Sequence, residues 1–278
     1  MQTNSDSNGS SRRKVRPVEG TANHGETIVT ERKTLVVGIG EVGGPLAQAL
    51  DTKGTVLRHD LEPLSFDDSI GVMHICFPFR DRESFVEAAA AYIGRFTPEL
   101  TIINSTVIPG TTRMVEQMTG RSVCYSPVRG KHSEMAAALR HYRKFVASSD
   151  IRALEQAEAH FHEAGLETER MNSPEELELA KLAETTYFGV LIAFAQELNR
   201  YASSVGADYR EITEFFKEVD FLPRTSYYPG FIGGHCVVPN INLLLKVADS
   251  PLLSAVLLSN ARTAEQLDLA SQPALRAE

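Results

Sequence analysis

The chain has 278 residues, of which 42% are hydrophobic and 23% are charged, and its formal net charge is −8. These proportions are ordinary for a globular protein of one or two domains. The acidic balance disfavours a general nucleic-acid-binding protein, which would need a basic surface.

The two ends of the chain differ in composition from its centre. Residues 1–32 are rich in Ser, Asn, Gly and charged residues, and we predict a disordered tail there because such a segment buries little apolar surface. We expect a second, flexible tail at residues 266–278. The sequence has no apolar run long enough for a signal peptide or a membrane span. Its three cysteines are widely spaced and do not form a disulfide framework, which favours a cytoplasmic protein with reduced thiols.

The first predicted element is a strand, a tight turn and a helix within KTLVVGIGEVGGPLAQAL. Its glycines follow the pattern G-x-G-x-x-G between a strand and a helix, where that pattern binds a dinucleotide. We therefore predict that Gly38, Gly40, Val42 and Gly43 bind the cofactor. Gly38 permits the turn, Gly40 lets the pyrophosphate approach the backbone, and Gly43 lets the helix pack closely on the strand.

The strand that follows ends in Asp60, about twenty residues after the glycine turn, where a carboxylate accepts hydrogen bonds from a ribose. This position predicts NAD as the cofactor. Strand-like runs then alternate with helical segments up to residue 172, which predicts a Rossmann-like, doubly wound parallel sheet in an α/β domain at residues 33–172. Pro78, Ser105 and Thr106 follow predicted strands, and ligands bind at such strand ends.

Other polar residues of this half give weaker signals. His160 and His162 are two positions apart on a predicted helix, so they cannot share a metal, and we interpret them as a solvated face. Cys76 and Cys124 lie within apolar strand patterns and read as buried, inert thiols. No metal-ligand spacing is present, so no metal site is predicted.

The second half opens with a long helix. Ser173 is a suitable N-cap, Pro174 suits the first helical position, and the apolar periodicity runs to a stop at Gly206. We predict a helical substrate and dimerisation domain at residues 173–265, with a homodimer formed through the helix at 173–205. Lys181 lies beside the apolar stripe of this helix.

Five motifs carry a resemblance to a known family. They are the glycine turn 38–43, INSTVIPGTT (103–112), SPVRG (126–130), ELAKLAETTYFGVLIAFAQEL (178–198) and PGFIGGHCVVPN (229–240). In this order they resemble the UDP-glucose/GDP-mannose dehydrogenase family of nucleotide-sugar dehydrogenases, from about residue 33 to about residue 262.

The resemblance implies two NAD-dependent oxidations of a sugar alcohol. The first gives an aldehyde, a cysteine attacks it, and the thiohemiacetal is oxidised to a thioester that water hydrolyses. By position, Cys236 resembles that nucleophile and Lys181 the oxyanion stabiliser, while Thr106 resembles a threonine near the nicotinamide. We expect Cys236 to lie near groups that lower its pKa, such as His235 and a helix beginning near Asn240.

The chain departs from the family at several positions. Thr185 stands where the family usually has Asn, Asn240 where it has Asp, and Val128 where it has Glu. We still assign Thr185 and Asn240 to the catalytic group. We assign Arg129, Lys181, Tyr228, Gly230 and His235 to substrate binding. The resemblance also implies a C-terminal nucleotide-binding domain, which we expect this member to lack.

Three interpretations remain open from the sequence. The first is an NAD-dependent dehydrogenase that oxidises an alcohol of a sugar-like or anionic metabolite through Cys236 and Lys181. The second is a single-hydride β-hydroxyacid-type dehydrogenase that uses Lys181 alone. The third is an NAD-binding pseudoenzyme that acts as a scaffold.

Overall fold

The computed structural model of the protein describes residues 33–52, 54–60, 69–223 and 225–267. The tail predicted at residues 1–32 lies outside these ranges, as does residue 268 onwards. None of the helices in the described part of the chain has an apolar stretch that could span a bilayer.

Within the described ranges, seven strands form one sheet in the order β2-β1-β3-β4-β5-β6-β7. The strands are β1 (Lys33–Val37), β2 (Val56–His59), β3 (Ile70–Ile75), β4 (Leu100–Ile103), β5 (Val123–Tyr125), β6 (Lys144–Ser148) and β7 (Thr168–Arg170). Neighbouring strands are parallel except β5 and β6, which are antiparallel. The predicted parallel sheet is therefore confirmed except at this pair, and β7 was not predicted.

Helices cover the sheet and continue beyond it. The α-helices are α1 (Gly43–Leu50), α2 (Arg82–Phe96), α3 (Thr111–Thr119), α4 (Met135–His141), α5 (Ile151–Glu163), α6 (Pro174–Ser204), α7 (Tyr209–Glu214), α8 (Val237–Val247) and α9 (Pro251–Gln266). A 3-10 turn at His132–Glu134 precedes α4.

The core has one hydrophobic cluster on each face of the sheet. On one face, Leu46 of α1 and Phe161 of α5 are buried with alternate residues of the strands. On the other face, Phe85 of α2 and Leu177 of α6 are buried with the remaining strand residues. This arrangement confirms the predicted α/β, doubly wound fold. Its chain order reverses at β1, which has β2 on one side and β3 on the other, and such a reversal opens a crevice at the carboxyl ends of the strands.

The C-terminal part of the described chain is helical. Helix α6 begins as predicted, because the Ser173 hydroxyl accepts a hydrogen bond from the backbone N–H of Glu176 at 3.2 Å. A third cluster packs α6 against α8 and α9. A domain boundary at residue 172 stays a prediction.

Candidate active site

The glycine turn joins β1 to α1 with the geometry that a dinucleotide needs. Gly38 has a φ of +87°, a conformation that side chains disfavour. A Cβ at Gly43 would lie 1.8 Å from the carbonyl oxygen of Gly38, so the helix packs directly on the turn. A Cβ at Gly40 would meet nothing within 4 Å. The turn is thus closed beneath Gly43 and open above Gly40.

Residues at the strand ends surround this turn. Asp60 directly follows β2 and is exposed. Ser105 follows β4, and its hydroxyl donates a hydrogen bond to the carbonyl of Phe77 at 2.6 Å. This bond ties the end of β4 to the chain after β3, near Pro78 and Thr106.

Helix α6 is fixed to the sheet domain by a buried carboxylate. Glu178 accepts hydrogen bonds from the backbone N–H groups of Gly110 (2.6 Å) and Thr112 (2.8 Å) and from the Thr112 hydroxyl (2.6 Å). These donors lie at the N-terminus of α3, where a carboxylate is favoured. Burial nevertheless raises the pKa of Glu178 to about 7. Since Lys181 follows one turn later, this anchor sets the position of the lysine.

Lys181 is mostly buried, with 11% of its side chain exposed. Its Nζ lies 3.7 Å from Oε2 of Glu184. Burial lowers the pKa of Lys181, while Glu184 and Cys236 act in the opposite direction. The lysine therefore gives up its proton more readily than a solvated lysine does.

Cys236 is the N-cap residue of α8, so the helix begins at Val237 rather than near Asn240. Close packing places it there, because a Cβ on Gly189 of α6 would lie 2.7 Å from Cγ1 of Val237. The expectation of a lowered thiol pKa is wrong in this structure. Burial raises the pKa of Cys236; Lys181 lowers it, and the Glu41 carboxylate raises it further.

Thr185 and Asn240 are in direct contact. The Asn240 amide donates to the Thr185 hydroxyl at 2.8 Å. That hydroxyl donates in turn to the backbone carbonyls of α6 one turn earlier, at Leu182 (3.1 Å) and Lys181 (3.3 Å). Asn240 is 6% exposed, so the pair is a neutral hydrogen-bonded link between α6 and α8.

One cavity of about 700 Å³ brings most of the predicted residues together. Its walls include the following predicted residues: Gly38, Gly40, Val42, Asp60, Pro78, Ser105, Thr106, Lys181, Thr185, His235, Cys236 and Asn240. The lysine, the cysteine and the glycine turn thus face a common space.

Four predicted residues do not line this cavity. Gly43 packs beneath the turn. Arg129 lies over the rings of Tyr142 and Phe145, at 5.1 Å from each centroid, and its Nε is 3.7 Å from the carboxylate of Glu184. 

Tyr228 and Gly230 also lie away from the cavity. Tyr228 is 83% exposed, and its ring covers Gly230, whose carbonyl accepts a hydrogen bond from Gln196 at 2.7 Å. The substrate-binding roles of Arg129, Tyr228 and Gly230 stay predictions.

The structure adds residues that the sequence analysis missed. Asn104, Cys76 and Glu41 line the cavity. Asn104 stands directly before Ser105 at a strand end, and that position was the available signal. Cys76 is only partly buried, although burial raises its pKa to about 12 and keeps the thiol protonated.

The solvated-face interpretation of His160 is wrong. Its Nε2 lies 2.9 Å from Nε2 of the fully buried His74. Burial lowers the pKa of His160 to about 4. His162 is exposed as expected.

Comparison with known proteins bears on the helical half. Residues 175–266 match the central domain of the UDP-glucose/GDP-mannose dehydrogenase family. The resemblance drawn from the motifs is confirmed.

Individual relatives agree with the match. Over 161 residues the chain is 29% identical to UDP-N-acetyl-D-mannosamine dehydrogenase of Pyrococcus horikoshii. This match covers 54% of this chain and 38% of the relative. The sequence match therefore spans well under half the length of this curated relative.

Two solved structures share the fold. UDP-D-ManNAc dehydrogenase from Pyrococcus horikoshii has a TM-score of 0.73 at 21% identity, covering 85% of this chain and 70% of that chain. Mycobacterium tuberculosis 3-hydroxyisobutyrate dehydrogenase with L-serine has a TM-score of 0.65 at 16% identity, covering 84% of this chain and 94% of that chain.

Proposed function

We propose that the protein is an NAD-dependent dehydrogenase that oxidises an alcohol of a sugar-like or anionic metabolite. One observation carries this proposal: Lys181 and Cys236 line the same cavity as the glycine turn at Gly38 and Gly40. The match of residues 175–266 to a nucleotide-sugar dehydrogenase family supports it, as does the likeness to an enzyme named for a UDP-sugar substrate.

The residues at the turn fit NAD. The open backbone at Gly40 leaves room for a pyrophosphate, and Asp60 in the cavity wall suits a ribose diol. Ser105 and Thr106 lie on the opposite side of the turn, where the nicotinamide half would be held. When bound, NAD supplies the acceptor for a hydride.

Lys181 supplies the charge and the proton transfer that alcohol oxidation needs. Its ammonium stabilises an alkoxide by direct electrostatic attraction in a mostly buried site. Because burial lowers its pKa, the same group also accepts the proton of an alcohol more readily as a neutral amine.

Cys236 would extend this chemistry to a second oxidation. Its sulfur would attack the aldehyde carbon while the carbonyl oxygen takes up the thiol proton, which gives a thiohemiacetal. Loss of a hydride to a second NAD and of the hydroxyl proton would then give a thioester. Lys181 favours the thiolate because it lowers the thiol pKa, against the effect of burial. His235 is exposed at the cavity and would meet an anionic group of the substrate.

The single-hydride alternative is favoured by a specific observation. The Asn240–Thr185 pair is neutral, and an amide cannot act as a base toward the water that hydrolyses a thioester. The raised pKa of Cys236 points the same way. Under this alternative, Lys181 acts alone.

Product analysis separates these proposals. Incubation with NAD and a panel of nucleotide sugars and β-hydroxyacids should produce NADH with at least one substrate, and Lys181→Met should abolish the signal. Lys217→Met serves as the control, because Lys217 is an exposed lysine paired with Glu214 outside the cavity that Lys181 lines. Binding of NAD without oxidation of any compound would instead favour the scaffold.

Replacement of the cysteine decides the number of oxidations. In the two-step enzyme Cys236→Ser should stop at the aldehyde, which a hydrazine reagent traps, and the ratio of NADH to consumed alcohol should fall from two to one. In the single-hydride enzyme the variant keeps its rate, and the ratio is one throughout.

We also propose a homodimer formed through α6. Tyr187, Phe194 and Tyr201 follow one another at two-turn spacing and are 58%, 61% and 67% exposed. Exposed apolar side chains of this size along one face of a helix mark an interaction surface. We place the protein in the cytoplasm, which suits its cysteines because none of the three forms a disulfide.

A further inference from the structure

Three polar side chains form a chain of hydrogen bonds from α5 to the cavity wall. His160 on α5 meets His74 on β3, with 2.9 Å between the two Nε2 atoms. Nδ1 of His74 lies 3.1 Å from Nδ2 of Asn104. His74 is 0% exposed and Asn104 is 1% exposed, so these hydrogen bonds lie in the protein interior.

These bonds fix the orientation of the Asn104 amide. Its Nδ2 donates to His74 and also to the backbone carbonyl of Ile102 at 3.2 Å, which uses both N–H bonds. His74 accepts at Nδ1, so it carries its proton at Nε2 and donates to His160. Both rings are neutral in this arrangement, and burial lowers the pKa of each.

Oδ1 of Asn104 is left as a buried acceptor. Among the described residues it has no hydrogen-bond partner, and such buried groups are rare unless a ligand satisfies them. Asn104 is also part of the cavity wall. The Asn104 amide is thus oriented by His74 and by the Ile102 carbonyl, and its acceptor oxygen still lacks a donor; a ligand N–H at this wall of the cavity would supply that donor.

The sheet order indicates which part of a dinucleotide reaches Asn104. Asp60 follows β2, the glycine turn follows β1, and Asn104 follows β4 on the opposite side of β1. If the adenosine ribose lies at Asp60 and the pyrophosphate at the turn, the nicotinamide half extends over the ends of β3 and β4.

We infer that Asn104 Oδ1 accepts a hydrogen bond from the carboxamide N–H of the nicotinamide, with His74 and His160 as positioning residues. This inference rests on the proposed cofactor. One such bond fixes the rotation of the carboxamide and, with it, the face of the ring that is turned toward Lys181 and Cys236.

Binding of a matched pair of reduced dinucleotides tests the inference. NADH carries the carboxamide, whereas the reduced 3-acetylpyridine dinucleotide has a methyl ketone and no N–H donor. The wild-type protein should bind NADH roughly tenfold more tightly, as expected for one lost hydrogen bond that leaves a buried acceptor unpaired. Asn104→Ala should bind the two ligands within about twofold of each other.

Two further variants guard against a folding artefact. Asn104→Asp keeps an acceptor oxygen and should keep the preference for NADH. His160→Leu should reduce the preference by about threefold because it loosens the amide. The matched His162→Leu, whose side chain contacts Thr168 on the surface, should leave it unchanged.

The possible results are distinguishable. Tight binding of both dinucleotides with an unchanged tenfold preference in Asn104→Ala would overturn this inference and leave the cofactor intact. Equal affinity of the wild-type protein for both ligands would overturn it as well. Failure of the wild-type protein to bind either dinucleotide would overturn the proposed cofactor, and this inference with it.

Discussion

The amide of Asn240 donates a hydrogen bond to the hydroxyl of Thr185, with 2.8 Å between the two atoms. These are two of the positions at which the chain departs from the family pattern, and the structure shows that they are partners. The departures therefore form one neutral pair rather than two separate losses. Because the Thr185 hydroxyl also donates to the backbone carbonyl of Lys181 at 3.3 Å, the pair fixes α8 near the lysine.

Thr185→Val should destabilise the protein because it leaves the Asn240 amide without its acceptor. Burying an unpaired donor costs about 1–3 kcal/mol, and Asn240 is 6% exposed. Urea unfolding measures the change. Thr185→Ser should restore most of the stability, since the hydroxyl is kept.

The next residue of α6 is a matched control. Thr186 is also buried, and its hydroxyl has no hydrogen-bond partner among the described residues. Thr186→Val should be neutral or stabilising, because an isosteric methyl replaces an unsatisfied polar group. Equal losses in both valine variants would mean that the Thr185–Asn240 bond contributes nothing.

Gly189→Ala should destabilise the protein although alanine favours helices. A Cβ there would lie 2.7 Å from Cγ1 of Val237 and 3.1 Å from Cδ1 of Ile241. Such overpacking costs about 1–3 kcal/mol. The displacement of α8 should also change the rate at which a thiol reagent modifies Cys236. An unaltered rate together with unaltered stability would show that α8 does not pack on Gly189.

Gly94→Ala provides the comparison. Gly94 lies within α2, and a Cβ there would meet nothing within 4 Å. The substitution should stabilise the protein by up to about 1 kcal/mol, the usual gain in helix propensity.

The sequence was sufficient for features that depend on neighbours along the chain. The glycine turn, the strand that ends before Asp60 and the Ser173 cap of α6 all follow from short segments. Motif spacing also identified the cysteine and the lysine that share the cavity.

Contacts between segments that are distant along the chain could not be predicted from the sequence. Glu178 stabilises the start of α3, 66 positions away in the chain at Thr112, and no local pattern indicates that contact. His74 and His160 are separated by 86 positions. The sequence therefore contains no sign of their contact, and His160 was predicted to be a surface residue. Gly189 of α6 accommodates α8 of the same chain, and the sequence of α6 alone does not indicate which helix packs there.

Phe194→Glu should convert the proposed dimer into a monomer. Phe194 is 61% exposed on the face it shares with Tyr187 and Tyr201, and a charge at the centre of an apolar interface is costly to bury. Light scattering after gel filtration measures the mass. Leu252→Glu on α9, where the leucine is 60% exposed, should leave the mass unchanged; a wild-type monomer would refute the dimer.

Lys144 should make the stability of the protein rise with pH above neutrality. It is 3% exposed, and burial lowers its pKa to about 7 from the ordinary 10.5. Its Nζ donates to the carbonyls of Ser126 (2.8 Å) and Pro127 (3.0 Å). A neutral amine has two N–H bonds, so it satisfies both acceptors without a buried charge.

The direction in which stability changes with pH follows from the number of protons bound by the folded and unfolded chain. Between the folded pKa of about 7 and the unfolded value of 10.5, the unfolded chain holds more protons, so the free energy of unfolding increases with pH. Cys76 and Cys124 have pKa values raised to about 12, which gives an opposite trend at higher pH. The measurement therefore belongs between about pH 7 and pH 8.5.

Urea unfolding of the wild type and of Lys144→Met isolates this contribution. Over that window the wild type should gain about 1–2 kcal/mol relative to the variant, because one proton is worth about 1.4 kcal/mol per pH unit. Lys246→Met, at an exposed lysine, should follow the wild-type profile. Parallel profiles for the wild type and Lys144→Met would mean that Lys144 stays charged when buried, and the loop from Ser126 to the cavity wall would then be held by an ammonium ion.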